Sequence, residues 1–207
     1  MKKVFFFLTM ALLLSVTQLQ AQLGFHAGYS PQAQRVKNID SGLATTTRFH
    51  GFYAGIHYTY GFAENFGATA AAQIRLNSAT VKSTGSYIQD WQFAADVPLL
   101  VNYTYPIKHD FKIGAFAGPV VSVGIGYTEK HYLEKLNDPG NYEIVSSTEL
   151  YDTGARKRVE MNVAAGVSLH YREFMLYGGY SFGFNDLDKS DSYTTRVRGF
   201  FVGIGMN

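Results

Sequence analysis

The chain has 207 residues and a formal net charge of +2, and only 16% of its residues are charged, against ~25% in an ordinary globular domain. It contains no cysteine, which excludes disulfides, thiol catalysis and lipid attachment through an N-terminal cysteine. A chain this close to neutrality has no general field that attracts nucleic acid, so no nucleic-acid partner is expected.

The N-terminal residues form a pattern of their own. Lys2 and Lys3 precede an apolar run over Val4–Val16, and a polar stretch ends at Ala21. The run is shorter than the ~20 residues of a spanning helix, and the small residue at its end is typical of a signal peptide. We predict a signal peptide over residues 1–21 and one domain over 22–207; the alternative is a retained membrane anchor. Removing the two lysines lowers the formal charge from +2 to 0.

Eight segments follow in which apolar and small or polar residues alternate, the period of a strand with two unlike faces. In chain order they are Leu23–Tyr29, Phe52–Phe62, Phe66–Ser78, Trp91–Tyr105, Phe111–Tyr127, Arg158–Tyr171, Phe174–Phe184 and Arg196–Met206. Long polar connections follow every odd segment, at Pro31–Arg48, Ala79–Asp90, Thr128–Lys157 and Asn185–Thr195. The links "AEN", "PIKHD" and "RE" follow the even ones. Long connections at one end and short turns at the other are expected of an outer-membrane barrel.

The residue types on the two faces indicate which face meets lipid. In a water-soluble barrel the outward face would be rich in Lys, Glu and Asp, whereas the polar face here carries mainly small and weakly polar residues. Aromatic residues form two bands beside the turns and the long connections: Phe62, Phe66, Phe111, Tyr171 and Phe174, then Tyr29, Phe52, Trp91, Phe93 and Tyr127. These bands are typical of membrane-barrel girdles. The sequence therefore predicts an all-β, eight-stranded antiparallel up-and-down transmembrane barrel in the outer membrane of a Gram-negative bacterium.

Two stretches, "DVPLLVNYTY" and "GAFAGPVVSVGIGY", resemble the small outer-membrane β-barrel proteins of the OmpA/OmpX-like and PorT-like type. The resemblance covers the whole predicted mature chain. It implies outer-membrane lipid and lipopolysaccharide as surroundings, and the barrel-assembly machinery as a partner during biogenesis. Such barrels usually end in an aromatic residue, whereas this chain ends in Asn207.

The sequence offers few residues for chemistry. It has no phosphate-binding loop, HExxH or CxxC motif, so no cofactor is expected. Six histidines lack metal-ligand spacing, namely His26, His50, His57, His109, His131 and His170. His26 and His57 both face the lumen on adjacent strands, where hydrogen-bonded filling is favoured over a metal site. A lipid A hydrolase or acyltransferase would need Ser, His and an acid near the outer rim. His50 and Ser78 lie at the outer ends of the second and third segments, but no local motif supports a triad.

Four charged residues form the best-defined group. We predict that Arg75, Asp96, Glu160 and Arg198 project into the outer half of the lumen. Buried charges must be paired, because desolvating each ion costs several kcal/mol. The group is therefore either a structural plug of ion pairs or a gate. Eight strands leave a lumen that side chains nearly fill, which favours the plug.

These patterns predict a non-enzymatic outer-membrane barrel with an envelope-structural, surface-interaction or weakly porin-like role. Two alternatives remain: a secretion-apparatus component, which the PorT-like resemblance implies, and a lipid A-modifying enzyme.

Overall fold

The computed structural model describes residues 21–135, 138–190 and 192–206, and these residues form ten strands. The strands are β1 Ala21–Tyr29, β2 Gln32–Asn38, β3 Ala44–Gly61, β4 Phe66–Ser83, β5 Ser86–Lys108, β6 Phe111–Lys135, β7 Asp138–Glu149, β8 Val159–Tyr171, β9 Phe174–Gly183 and β10 Tyr193–Met206. Residues 1–20 of the predicted signal peptide lie outside the described part, and β1 begins at Ala21. No helix in the described ranges is long and apolar enough to cross a membrane.

The ten strands make a closed ring with eight positions. β1 and β2 share one position, because both pair antiparallel with β10 and with β3, one after the other. The break between them falls at Ser30 and Pro31, where the proline has no backbone N–H to donate. β7 lies outside the ring and pairs with β6. The predicted eight-stranded antiparallel barrel is confirmed.

The outward face of the ring is apolar. Phe52 is 66% exposed and Val167 is 65% exposed, whereas the neighbouring Tyr53, pointing inward, is 6% exposed. A continuous band of exposed aliphatic and aromatic side chains is stable only against lipid. The chain is therefore a transmembrane barrel of the outer-membrane class, as predicted.

The long connections differ from the prediction. Three of the four stretches expected to be loops are mostly β-structure: the residue pairs Lys37↔Ala44 and Ser83↔Ser86 close two hairpins, and β7 adds a third on β6. These strand ends lack the continuous lipid-facing apolar side of the other strands, because both of their sides lie beyond the membrane, so the pattern that marked the other strands is missing. The end with these hairpins is called the outer end below.

Above the barrel the wall divides into two separate sheets. The β3–β4 ladder ends at His50↔Ser78, and the β6–β8 ladder ends at Val123↔Val159. Beyond these pairs, β10, β2 and β3 continue as one sheet, and β4, β5, β6 and β7 continue as another. The second sheet is called the four-stranded extension.

One residue assigned to the outer aromatic band lies elsewhere. The β5–β6 ladder shifts register between Phe93 and Ala94, opposite Gly124 and Gly126. A bulge of this kind reverses the facing of the residues that follow it. Tyr127 therefore points into the lumen and is 3% exposed, which corrects the prediction that it faces lipid.

Candidate functional site

An ion pair closes the middle of the lumen. The Arg75 guanidinium, on β4, donates through Nε and Nη2 to the two carboxylate oxygens of Asp96 on β5, at 2.9 and 3.1 Å. Glu160, on β8, lies across the lumen with Oε2 4.0 Å from Arg75 Nη2. All three residues are buried. The bidentate Arg75–Asp96 pair and the nearby Glu160 carboxylate offset the free-energy cost of removing these charges from water.

Amide side chains continue this contact toward the outer end. Arg75 Nη1 donates to Gln32 Oε1, which also accepts from Asn77 Nδ2 at 3.1 Å. Asn77 Nδ2 lies 3.3 Å from Gln92 Oε1, and Gln92 Nε2 lies 3.4 Å from Gln34 Oε1. These contacts join β2, β4 and β5, and Glu160 adds β8. Together with the ion pair they form what we call the plug. Its members are Gln32, Gln34, Arg75, Asn77, Gln92, Asp96 and Glu160.

The outer loops seal the plug from above. Arg156 reaches down from the β7–β8 connection and donates through Nη1 to Gln34 Oε1 at 2.6 Å. Its guanidinium carbon lies 4.9 Å from the centre of the Tyr127 ring. Leu187, in the β9–β10 connection, is 1% exposed, and its backbone bonds tie it to Lys157 and Thr195. The two loops therefore act as one lid over the lumen.

The structure brings together three of the four predicted luminal charges and excludes the fourth. Arg198 is exposed and lies on the outward face of β10, two residues from the lipid-facing Phe200. The alternation of the strand itself requires this, since residues 198, 200 and 202 share a face. The prediction for Arg198 was wrong. The cation that enters the outer lumen instead is Arg156, which lies in a connection where no periodicity marks it.

Below the plug the lumen is a cavity of about 540 Å³ that reaches the short turns and is lined by residues of those turns, including Asn65, Asp110 and Arg172. We call this space the cup. Its walls carry hydroxyl, amide and aromatic side chains, namely Thr59, Thr69, Asn102, Ser168, Phe116, Tyr177 and Phe201. The cup opens toward the periplasmic end and ends at the Arg75–Asp96 pair.

Two histidines connect the cup to the plug. Gln73 Nε2 donates to Asp96 Oδ2 at 3.2 Å, so Gln73 Oε1 is left to accept from His26 Nε2 at 2.9 Å. A neutral His26 then accepts at Nδ1 from His57 Nδ1, which lies 3.3 Å away. These contacts agree with the prediction that His26 and His57 fill the lumen as hydrogen-bonded side chains. No group of three or more metal-ligating side chains was found in the described ranges.

A buried carboxyl lies just above the membrane part of the barrel. Asp90 on β5 faces inward under the lid and is 6% exposed. Burial and the nearby Glu129 carboxylate together raise the pKa of Asp90 to about 6, against the opposing effects of Arg156 and His131. Asp90 is therefore a titratable group near neutral pH in the sealed outer mouth.

The two residues considered for hydrolysis are direct neighbours. His50 on β3 pairs across the ladder with Ser78 on β4. The contact of His50 Nδ1 is the Tyr29 hydroxyl, with the two rings stacked at 6.2 Å. A Ser–His–acid triad would need a carboxylate next to His50 Nδ1. In this structure that nitrogen contacts the Tyr29 hydroxyl instead.

Solved structures of bacterial outer-membrane proteins are similar to this chain. Ail, the attachment invasion locus protein of Yersinia pestis, is 14% identical, with a TM-score of 0.43 over 88% of this chain and 97% of that one. Neisserial surface protein A is 13% identical, with a TM-score of 0.37 over 88% and 96%. The outer-membrane protease OmpT from Escherichia coli is 8% identical, with a TM-score of 0.43 over 89% and 96%.

No protein-family model matches the chain, and no curated protein matches it. The closed ring and the outward apolar band are the features that this chain has in common with outer-membrane barrels.

Proposed function

We propose that this chain is a non-enzymatic, solute-tight outer-membrane barrel that contacts a second protein at the cell surface through the four-stranded extension. The observation that carries the proposal is the combination of a sealed outer lumen with a large ordered sheet beyond the membrane. The first feature argues against a porin-like role, and the second supplies a surface for recognition.

The size of the extension supports the surface role. β6 has 25 residues, about 80 Å of extended chain, whereas a tilted strand crosses the membrane in ~9–11 residues. Above the bulge at Phe93 the β5–β6 ladder holds its register to Ser86↔Leu133 at its tip, while the β6–β7 ladder shifts register after His131 and after Glu134. A framework this regular presents side chains in fixed positions, which flexible loops do not.

The chemistry of the extension fits an extended segment of another protein. β7 pairs with β6 along one side, and its other side is an edge that can accept a further strand. A row of apolar side chains crosses the face beside that edge: Tyr87 and Tyr132 stack at 4.2 Å, Tyr142 packs on Tyr87 at 5.1 Å, and Ile144 is 55% exposed. Edge hydrogen bonds and an adjacent apolar row are what strand addition uses for affinity and specificity.

Two measurements test the proposal. Purified protein in planar bilayers should give no stable conductance. A photo-crosslinking residue at Val145, on the edge strand, should give one discrete product in intact cells that disappears when Ile144 is changed to Lys. The matched control is the same photo-crosslinker at Val167, which faces lipid on β8. Stable pores, or equal crosslinking at both positions, would contradict the proposal.

A further inference from the structure

The outward wall of the other outer sheet carries five cations. Arg35 and Lys37 on β2, Arg48 on β3, and Arg196 and Arg198 on β10 are all exposed. Alternation places all five on the side of the wall that faces lipid lower down, because Phe52 and Phe200 share that face. We call these five residues the cationic wall patch.

The register draws the patch into a compact group. Arg196 lies directly opposite Arg35, and Arg198 lies opposite Ala33, which is itself opposite Arg48. Directly opposed side chains have Cβ atoms ~5 Å apart, and diagonal neighbours are ~7–8 Å apart. Like charges at these separations destabilise a sheet. An anion between them would remove that repulsion.

In the part of the chain that the structure describes, no carboxylate forms an ion pair with the patch. The ion pairs found in the described ranges involve other residues. The remaining outward residues on these strand ends are uncharged or a histidine: Ala33, Ala44, Thr46, His50 and Thr194. Within the described ranges, the patch is thus a set of neighbouring cations that form no ion pair.

The height of the patch identifies the anion. Arg198 is two residues above Phe200 and Arg48 is four above Phe52, which is ~7 and ~13 Å along the strand. Aromatic residues of a membrane barrel lie at the lipid interface, so the cations lie at the level of the lipid headgroups. Arginine guanidinium groups match phosphate in geometry as well as in charge.

We propose that the cationic wall patch binds the phosphate groups of a phosphorylated glycolipid of the outer leaflet. The lipid chains lie along the apolar wall below, against Phe52 and Phe200, while the phosphates bridge Arg35 with Arg196 and Arg48 with Arg198. The site holds a lipid at one side of the barrel and is independent of the four-stranded extension.

The test uses the full mature barrel in detergent and native mass spectrometry of bound lipid. The probes are bisphosphorylated lipid A, the same lipid without its phosphates, and inorganic phosphate as a competitor. The variant is R35Q/R48Q/R196Q/R198Q. The matched control is K82Q/K135Q/K157Q/K189Q, which removes the same charge from exposed outer positions outside the patch. Mobility shift on boiling establishes that each variant is folded, and R35Q/R196Q replaces the fourfold variant where it does not fold.

We expect the wild type to retain phosphorylated lipid A about tenfold better than the dephosphorylated lipid. The patch variant should lose this preference, and the control should keep it. The preference should also weaken at high salt. Equal retention of the two lipids, equal loss in patch and control variants, or displacement of the lipid by millimolar inorganic phosphate would overturn the proposal.

Discussion

The outer and periplasmic halves of the lumen are built on the same strands but are filled differently. In the outer half, Arg75, Asp96 and Asn77 are each at most 5% exposed. Arg75 contacts Asp96 directly, and Arg75 and Asn77 both donate to Gln32 Oε1. In the periplasmic half the same strands enclose a cavity of about 540 Å³. A barrel of eight strands is therefore narrow enough for side chains to seal it, but only where long polar side chains converge.

The largest effect should follow from breaking the ion pair. Asp96→Ala leaves Arg75 buried without its main partner, and this should lower the free energy of unfolding by ~3–5 kcal/mol. Adding Arg75→Ala should recover part of the loss. Urea unfolding in detergent, followed by the fluorescence of the single tryptophan, measures both. If the double variant loses the sum of the two single effects, the residues are not coupled and the plug interpretation fails.

The lid should be the next most sensitive part. Leu187→Ala removes a side chain that is 1% exposed, and buried Leu→Ala changes cost ~2–5 kcal/mol. We expect a loss near ~2 kcal/mol, because a loop collapses around a cavity more easily than a strand. Leu43→Ala is the matched control, since Leu43 lies in another outer connection and is 75% exposed. Equal thermal midpoints for the two variants would contradict the role given to Leu187.

The sealed mouth should also make stability depend on pH. The folded pKa of Asp90, about 6, lies above the ordinary value of 3.8, so the folded state binds the proton more tightly. This contribution to stability is complete below pH ~4 and is lost as the pH rises through ~6. Asp90→Asn should flatten this slope and raise the thermal midpoint at pH 7 by about a few degrees. A wild-type midpoint that does not fall between pH 4 and 7 would refute the assignment.

The smallest effect should come from the cup. Thr104 is half-buried and lines the cavity, so Thr104→Ala only enlarges an existing space. Its unfolding free energy should stay within ~0.5 kcal/mol of the wild type, as measured in the same urea titration. A loss comparable to that of Asp96→Ala would mean that both halves are packed alike.

Sequence alone predicted the strands of the membrane part, since a lipid-facing side forces apolar residues onto every second position. It also placed Arg75, Asp96 and Glu160 inside the barrel, because each of them lies on the polar face of its strand. Arg198 shares the apolar face of β10 with Phe200 and Val202, so strict alternation would have placed it outside. The prediction that it lies in the lumen did not follow this alternation.

The remaining features depend on contacts that alternation does not encode. The bulge opposite Phe93 turns Tyr127 inward, and its position depends on the pairing of two strands. Arg156 and Leu187 enter the mouth from irregular segments, held by backbone bonds between two loops. The outer hairpins lack a continuous lipid-facing apolar side, so their mostly polar sequence resembles that of loops.

The most direct test of the sealed lumen is the side from which the cup can be reached. The chain has no cysteine, so Thr104→Cys introduces a single thiol in the cup, and Ser83→Cys introduces one at the outer tip of the β4–β5 hairpin. Proteoliposomes with the barrel in one known orientation are treated with a small membrane-impermeant thiol reagent from either side. We expect the Thr104→Cys thiol to react from the periplasmic side alone and the Ser83→Cys thiol from the outer side alone. Reaction of the Thr104→Cys thiol at similar rates from both sides would contradict the sealed lumen.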